Sequence, residues 1–228
     1  MDRVQKIIAN AGFCSRREAE RLIEQGRVKV DGVVVSLGDK ASSSAKIVID
    51  EKPLVADAAL TVAYYKPVGV QTSLRDEHTE TLEEVLEEIG SRLIPAGRLD
   101  MDAEGLLILT NDGDLANHIM HPRYEKHKTY LAFLDRVVTD EHVGLLLAGV
   151  ELVDGAVHVH HAEKVGSNAI RLRIHEGRNK LVKRLLRKVT NGFVTRLVRE
   201  RIGVVSVDGL SVGQWRELSS EEVASLRE

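Results

Sequence analysis

Apolar and polar residues alternate with helical spacing over the first 26 positions of the chain. The apolar residues within positions 4–11 fall on one helical face, and Gly12 follows them as a stop signal. Ser15 and Glu18 then have the spacing of a capping box, ahead of a second apolar stripe that Gly26 closes. The pattern predicts two short helices in succession.

A hairpin is predicted directly after these helices. Residues 27–35 contain two apolar runs on either side of Asp31-Gly32, a dipeptide suited to a tight turn with positive φ angles. The periodicity is lost at residues 56–59, where we place a linker. Residues 1–58 are therefore predicted to form a helix–helix–hairpin domain, which is small for independent stability but large enough to fold.

The pattern from residue 61 onward is mixed. Apolar runs predict strands and 3.6-residue periodicity predicts helices. The predicted strands begin at residue 61 and continue at 106–110, 129–134, 157–161, 169–175, 196–205 and 215–218, and the predicted helices lie at 81–90, 114–120, 140–148, 179–189 and the end of the chain. Strands outnumber helices and their connections vary, so we predict that residues 61–228 form an α+β domain with a mixed, mainly antiparallel sheet.

Composition narrows the classes of protein. The single Cys14 excludes an intramolecular disulfide and argues against a zinc–thiolate site, which fits a reducing compartment. No apolar run approaches the roughly 18–20 residues needed to span a bilayer, and the N-terminus has no signal-peptide pattern. We expect a cytoplasmic protein that does not contact membranes and acts as a monomer.

Positive charge is concentrated in two places although the formal net charge is −3. Residues 171–201 contain eleven Lys or Arg residues against two acids, and residues 1–29 contain seven against four. A basic helix face alone is commonly just solvated, but two basic surfaces on a negative chain fit a polyanion, because each neutralised phosphate releases counterions. Nucleic acid is therefore the expected partner.

Five stretches of sequence carry a family resemblance. Residues 3–35 resemble the alpha-L RNA-binding domain of the small-subunit ribosomal protein S-four type. YKPVGV at 65–70, GRLDMDAEGLLILTNDG at 97–113, KTYL at 128–131 and EGRNKLVKRLLR at 176–187 are similar, in order, to the motifs of ribosomal RNA pseudouridine synthases of the RsuA/RluB/RluE/RluF group. The alpha-L segment most resembles the large-subunit, B-type members.

This resemblance implies a uridine isomerase that needs neither cofactor nor metal. It assigns catalysis to Asp100, as nucleophile at C1′ or base at C2′, and stacking of the flipped base to Tyr130. Asp102 and Glu104 are expected to be loop residues without a catalytic role, because acids in such positions commonly cap or turn the chain.

A cation should lie close to Asp100, because a neighbouring positive charge lowers a carboxylate pKa by about 1–3 units. Where the family has Gln-Val-Arg-Arg, this chain has Leu-Val-Lys-Arg at 181–184. Lys183 therefore stands where the pairing arginine is expected, and a lysine lacks the bidentate fork. Arg184 is the alternative partner, about 100° away around the helix.

The expected RNA contacts come from both domains. They are Arg16, Arg17, Arg21, Lys29, Lys66, Arg98, Arg178, Lys180 and Arg184.

The histidines permit one rival interpretation. His158 and His160 would lie on the same side of the predicted strand, with His161 next, which is compatible with two metal ligands. Because no Cys or acidic cluster accompanies them, we expect an exposed edge strand and no metal.

The sequence thus favours a pseudouridine synthase acting on large-subunit ribosomal RNA. Two alternatives stay open, namely a synthase for small-subunit RNA and a non-catalytic RNA-binding factor in ribosome assembly.

Overall fold

The computed structural model describes residues 1–42, 44–74, 76 and 78–228. The chain divides into two compact units, one comprising Met1–Leu60 with Thr110–Gly113 and the other comprising Thr61–Leu109 with Asp114–Glu228. The sequence suggested two uninterrupted segments, whereas the contacts of residues 110–113 assign them to the first unit. In the described residues, no helix is long and apolar enough to cross a bilayer.

The first unit contains two helices and short strands. They are β1 (Asp2–Arg3), α1 (Val4–Asn10), α2 (Arg16–Glu24), β2 (Val28–Val30), β3 (Val33–Val34), β4 (Lys40–Ala41), β5 (Ile47–Ile49) and β6 (Lys52–Pro53). The Ser15 hydroxyl caps α2 by accepting the Glu18 N–H at 3.1 Å, and Asp31 and Gly32 turn the hairpin with φ of 49° and 85°. Both helices and the hairpin are therefore confirmed.

The core of the first unit forms between α1, α2 and a sheet with the strand order β3-β2-β5-β6. Ile8, Ala19 and Val28 are completely buried there. The segment after β6 has no regular structure, and Asn111 holds its end. The Asn111 side chain accepts the Leu60 N–H at 2.9 Å and donates to the Ala58 carbonyl at 2.7 Å.

The second unit is built around one large sheet. Its strands are β7 (Thr61–Lys66), β8 (Ile94–Pro95), β9 (Glu104–Thr110), β10 (Lys128–Leu134), β11 (Val150–Leu152), β12 (Gly155–Val157), β13 (His161–Lys164), β14 (Ala169–Ile174), β15 (Val194–Ile202), β16 (Val205–Ser206) and β17 (Trp215–Glu217). Its helices are α3 (Glu83–Ile89), α4 (Gly113–Met120), α5 (Asp140–Leu147), α6 (Leu181–Thr190) and α7 (Ser220–Arg227), with a 3₁₀ turn at Pro122–Tyr124.

The described residues of the second unit form a nine-stranded sheet with the path β13-β14-β10-β15-β9-β7-β17, to which β16 and β8 add at β15 and β9. The pairs along β13-β14-β10-β15 and between β7 and β17 are antiparallel, whereas β15 and β9 are parallel. The predicted α+β architecture with a mainly antiparallel sheet is confirmed. The apolar face of α6 packs on this sheet through Leu181, Val182, Leu185 and Leu186.

A glycine permits the parallel contact between β9 and β15. Gly105 pairs with Arg199 and has a φ of 109°, and a Cβ atom placed on it would lie 2.4 Å from the Arg199 carbonyl oxygen. Only a residue without a side chain lets the two backbones approach this closely.

Two predictions about local structure were wrong. The strand within the motif of residues 97–113 begins at Glu104, two residues earlier than predicted, and Glu104 is buried against Arg196 instead of lying in a loop. The strand predicted at 157–161 does not exist, because residues 158–160 are an irregular link between β12 and β13. The alternation of apolar residues continues through that link, so periodicity alone could not detect the break.

Candidate functional site

A cavity of about 350 Å³ opens in the second unit, at the ends of several elements. Its walls come from the loop before β9, from β10 and β15, from the end of β14 and from the start of α6. Asp100, Lys128, Tyr130, Ile174 and Arg199 are among the lining residues. This volume lies in the range typical of small-ligand pockets.

Asp100 is half-buried and lines this cavity. The loop that carries it is fixed by Thr72, whose hydroxyl donates to the Leu99 carbonyl at 2.7 Å and accepts the Leu99 N–H at 3.2 Å. Within the described part of the chain, no ion pair or hydrogen bond engages the Asp100 carboxylate. This carboxylate is therefore available to a ligand that enters the cavity.

Lys183 does not pair with Asp100. Its ammonium lies 2.6 Å from Oδ1 of Asp102, and this contact lowers the pKa of the Asp102 carboxyl. Arg184, the alternative partner, instead donates to both carboxylate oxygens of Asp154 at 2.9 and 2.8 Å. The expected pairing of Asp100 with Lys183 or Arg184 is therefore corrected. Lys183 binds Asp102 of the same loop, and Arg184 binds Asp154.

Lys66 is a buried cation beneath the acidic loop. Its side chain is completely buried, and the ammonium donates to the carbonyls of Pro67 and Val70 at 2.7 Å each. Burial, assisted by repulsion from Arg199, lowers the pKa of Lys66 to about 8, against the attraction of acids that include Asp100. The expected RNA contact of Lys66 is therefore corrected, because its ammonium does not reach the surface.

Arg199 ties the Asp100 loop to the sheet, a role that the sequence did not reveal. Its side chain is 2% exposed, and the guanidinium donates to the carbonyls of Leu106 at 2.7 Å and Arg98 at 3.0 Å, on either side of Asp100. Its Nη2 is buried and finds no partner among the described residues. The only signal in the sequence was the basic excess of residues 171–201, which does not distinguish an inward arginine from a solvated one.

Tyr130 lies next to Arg199 across the sheet. The two residues are opposite each other in β10 and β15, beside an irregularity in register, and both line the cavity. Tyr130 is 8% exposed, so its ring forms part of the cavity wall. Lys128, two positions earlier on β10, is also buried, and burial with repulsion from Arg199 lowers its pKa to about 8.

The other residues of the second unit that were expected to contact RNA differ in whether their side chains are already engaged in hydrogen bonds. Arg98 and Lys180 are exposed and line the cavity. Arg178 also lines it, but its guanidinium donates to Glu176 and to the carbonyls of residues 154–156. Arg178 therefore fixes a loop, whereas Arg98 and Lys180 can reach a ligand.

The basic residues of the first unit are accessible. Arg16 and Arg17 are exposed on α2, Arg21 pairs with Glu18 at 3.1 Å, and Lys29 pairs with Glu51 at 2.7 Å. Exposed ion pairs of this kind are worth little, about 0–1 kcal/mol. A phosphate can therefore compete for these cations at small cost.

Comparisons with known proteins identify both units. Residues 61–188 match the family model described as RNA pseudouridylate synthase, and residues 2–47 match the S4 domain. A Bacillus subtilis protein named ribosomal large subunit pseudouridine synthase B is 39% identical, over 100% of this chain and 96% of that protein. An uncharacterized RNA pseudouridine synthase of Aquifex aeolicus is 42% identical, over 98% of this chain and 93% of that protein.

A second named relative and a solved structure agree with these matches. The dual-specificity RNA pseudouridine synthase RluF of Salmonella typhi is 33% identical, over 98% of this chain and 78% of that protein. The crystal structure of a pseudouridylate synthase superposes with a TM-score of 0.71 at 29% identity, over 99% of this chain and 100% of that one. The chain therefore belongs to the RNA pseudouridine synthase family and carries an S4 domain at its N-terminus.

Proposed function

We propose that this protein converts a uridine of ribosomal RNA into pseudouridine, with Asp100 as the catalytic carboxylate. The observation that carries the proposal is the unpaired Asp100 carboxylate in a cavity that Tyr130 and several cations also line. Large-subunit RNA is the proposed substrate, in line with the printed name of the Bacillus subtilis relative. Work on ribosomal RNA would take place in the cytoplasm.

The cavity suits a uracil that has been turned out of folded RNA. Extruding a nucleotide costs a few kcal/mol, and contacts from cations to the phosphates on either side offset this cost. The exposed Arg98 and Lys180 at the cavity are placed for such contacts. The Tyr130 ring can then stack on the base, which is worth roughly 1–3 kcal/mol.

The reaction needs Asp100 in its ionised form. The carboxylate either attacks C1′ or removes the proton from C2′, and in both cases the bond between N1 and C1′ breaks. The freed uracil turns and C5 bonds to C1′, which displaces the carboxylate in the first case, whereas in the second case C2′ regains its proton. C5 then loses its proton and N1 gains one, so the product is an isomer of the substrate. Lys128 and Arg199 bring positive charge to the cavity that Asp100 also lines.

We propose that the first unit docks the RNA and the second performs the isomerisation. The exposed arginines of α2 are the contacts expected in the first unit. Phosphate contacts position RNA without reading its sequence, so the target uridine must be selected by the shape of the RNA and its splayed bases.

Replacing Asp100 with Asn tests the catalytic proposal. Pseudouridine formation in ribosomal RNA fragments should be lost, whereas salt-dependent RNA binding should persist. Asp102→Asn is the matched control, because it removes a carboxylate of the same loop and should lower activity far less than Asp100→Asn. Equal activity of Asp100→Asn and the wild type would refute the role of Asp100.

The alternative functions can be distinguished by measurements on the wild-type protein. A ribosome-assembly factor would bind the RNA and form no pseudouridine at all. Mapping pseudouridines in both ribosomal RNAs, with and without the gene, distinguishes large-subunit from small-subunit RNA as the substrate.

A further inference from the structure

Three histidines from different parts of the second unit converge beside the ends of three neighbouring strands. His127 precedes β10, His175 follows β14, and His160 precedes β13. Because these three strands are neighbours in the order β13-β14-β10, their ends bring the imidazoles together. One ring nitrogen from each histidine lies within 4.8 Å of the others.

Hydrogen bonding prepares His127 to act as a ligand. Its Nδ1 lies 3.0 Å from the Glu125 carbonyl oxygen, so Nδ1 carries the hydrogen and donates it. The lone pair is then on Nε2. Metal-binding histidines almost always donate their second ring N–H to a carbonyl or carboxylate in this way.

His160 and His175 are already in direct contact. Nε2 of His160 lies 2.6 Å from Nδ1 of His175, so one nitrogen donates a hydrogen to the other. An ion bound to both nitrogens requires that hydrogen to move to the other nitrogen of the same ring.

The rings require only small rotations to surround an ion. Zinc–nitrogen bonds of about 2.0–2.1 Å in a tetrahedral site place two ligand nitrogens roughly 3.3 Å apart. The distance of 2.6 Å between the His160 and His175 nitrogens must therefore increase to about this value, and the widest nitrogen–nitrogen separation in the cluster, which is within 4.8 Å, must decrease to it. His158, whose ring meets that of His160 edge-on at 4.8 Å between centroids, or a water molecule can supply a fourth ligand.

We propose that His127, His160 and His175 form a binding site for a zinc-type transition-metal ion. The site is separate from the proposed isomerisation, whose steps as written above involve no metal. Its position gives it a structural effect, because Lys128 and Ile174, the first residue pair between β10 and β14, both line the cavity. An ion held by His127 and His175, which adjoin Lys128 and Ile174 just outside the two strands, fixes this part of the cavity wall.

Calorimetric titration of the full chain with ZnCl₂ tests the proposal. The protein must carry no polyhistidine tag and must first be stripped of metal. We expect one Zn²⁺ per chain, and a loss of affinity of at least about 100-fold in His127→Ala and in His175→Ala, because even groups that merely orient metal ligands are worth 10–100-fold. Cobalt should give the visible absorption of a tetrahedral Co²⁺ ion in the wild type and not in these variants.

His161→Ala is the matched control. His161 follows His160 directly but is exposed, 3.8 Å from Glu163 and outside the cluster, so its removal should leave zinc affinity unchanged. The melting temperature should rise with zinc in the wild type and in His161→Ala only, because a ligand that binds the folded state stabilises it. Melting in chelator shows whether each variant folds, and His160→Gln, which retains a polar side chain, provides a third cluster variant.

Two results would overturn the proposal. One is the absence of zinc binding by the wild type, and the other is equal binding by the cluster variants and His161→Ala. Either result would leave the cluster as a group of stacked, hydrogen-bonded rings. Neither readout depends on pseudouridine formation, so failure of the metal site leaves the proposed function untouched.

Discussion

The ammonium of Lys183 lies 2.6 Å from the carboxylate of Asp102, so the lysine expected to steady Asp100 is engaged two residues further along the same loop. The Asp102 side chain is 62% exposed, whereas that of Lys183 is 19% exposed. This ion pair attaches the start of α6 to the loop that carries Asp100. Lys183 is therefore proposed to act on the site through the loop, as a positioning residue.

The first prediction concerns this pair. Asp102→Asn and Lys183→Met should each lower kcat by less than about tenfold, and the double variant should lower it no further, because both changes remove one interaction. The loss of unfolding free energy should stay below about 1 kcal/mol, since an ion pair whose carboxylate is 62% exposed contributes little. A Lys183→Met variant far less active than Asp102→Asn would show instead that the lysine moves to Asp100 when RNA binds.

A second prediction follows from the buried guanidinium of Arg199. Arg199→Lys keeps the charge but cannot donate to both the Leu106 and Arg98 carbonyls, so the Asp100 loop loses its attachment. We expect kcat to fall by about 100-fold, as a displacement of roughly 1 Å of a reacting group can cause, while KM for RNA changes little. Stopped-flow and steady-state measurements of pseudouridine formation separate these parameters.

Arg201→Lys is the control for this change. Arg201 lies two positions further along β15, and its guanidinium is exposed and pairs with Asp208 at 2.9 Å. Equal kcat values for Arg199→Lys and Arg201→Lys would contradict the positioning role. Thermal melting of both variants shows how much of any loss comes from unfolding.

A third prediction concerns pH and the buried Lys66. Its pKa falls from 10.5 to about 8 on folding, so above pH 8 the folded state loses this proton while the unfolded state keeps it. Stability therefore rises with pH between about 8 and 10.5. The difference in unfolding free energy between the wild type and Lys66→Met should grow over this range by on the order of 2–3 kcal/mol.

Denaturant titrations at several pH values measure this difference. The comparison with Lys66→Met cancels the titration of other groups, such as Tyr64, whose pKa burial raises to about 12 and which acts in the opposite direction at high pH. A difference that does not change with pH over this range would show that folding leaves the pKa of Lys66 at its ordinary value, so that burial does not disfavour the charged form.

The fourth prediction tests RNA docking by the first unit. Replacing Arg16, Arg17 and Arg21 with Ala should weaken RNA binding and flatten its salt dependence, because each lost phosphate contact removes roughly 0.7–0.9 from the slope of log affinity against log salt. Replacing Lys40, Lys46 and Lys52 with Ala removes the same charge from the same unit and serves as the control. An unchanged slope in the arginine variant would exclude α2 from docking.

Periodicity was sufficient for most of the fold. It located α1, α2 and the hairpin of the first unit, and α6 and β10 of the second, because each buries one regular face. It failed at residues 158–160, where apolar alternation continues although the chain leaves the sheet. Because a regular strand was predicted there, the sequence did not predict that His160 lies beside His127 and His175, which come from remote parts of the chain.

The candidate site was less accessible to sequence reasoning. Helical phase gives the directions of Lys183 and Arg184, but the conformation of a loop decides whether Asp100 or Asp102 meets them. Lys66 was expected to contact RNA, but its side chain is completely buried, which the sequence motif does not reveal. Arg199 escaped notice because an inward-facing arginine on a strand has the same sequence signal as an outward-facing one.

Through the Asn111 side chain, the glycine-bounded motif of residues 97–113 also has a structural role in the first unit. The motif begins near Asp100, which lines the cavity. It ends near Asn111, whose side chain is hydrogen-bonded to the backbone of Ala58 and Leu60 and belongs to the first unit. A fragment that stops at residue 60 would therefore lack these hydrogen bonds, and its last residues would be left frayed. An isolated S4 domain for separate study therefore needs a replacement for the contacts of Thr110–Gly113, which lie about fifty positions further along the chain.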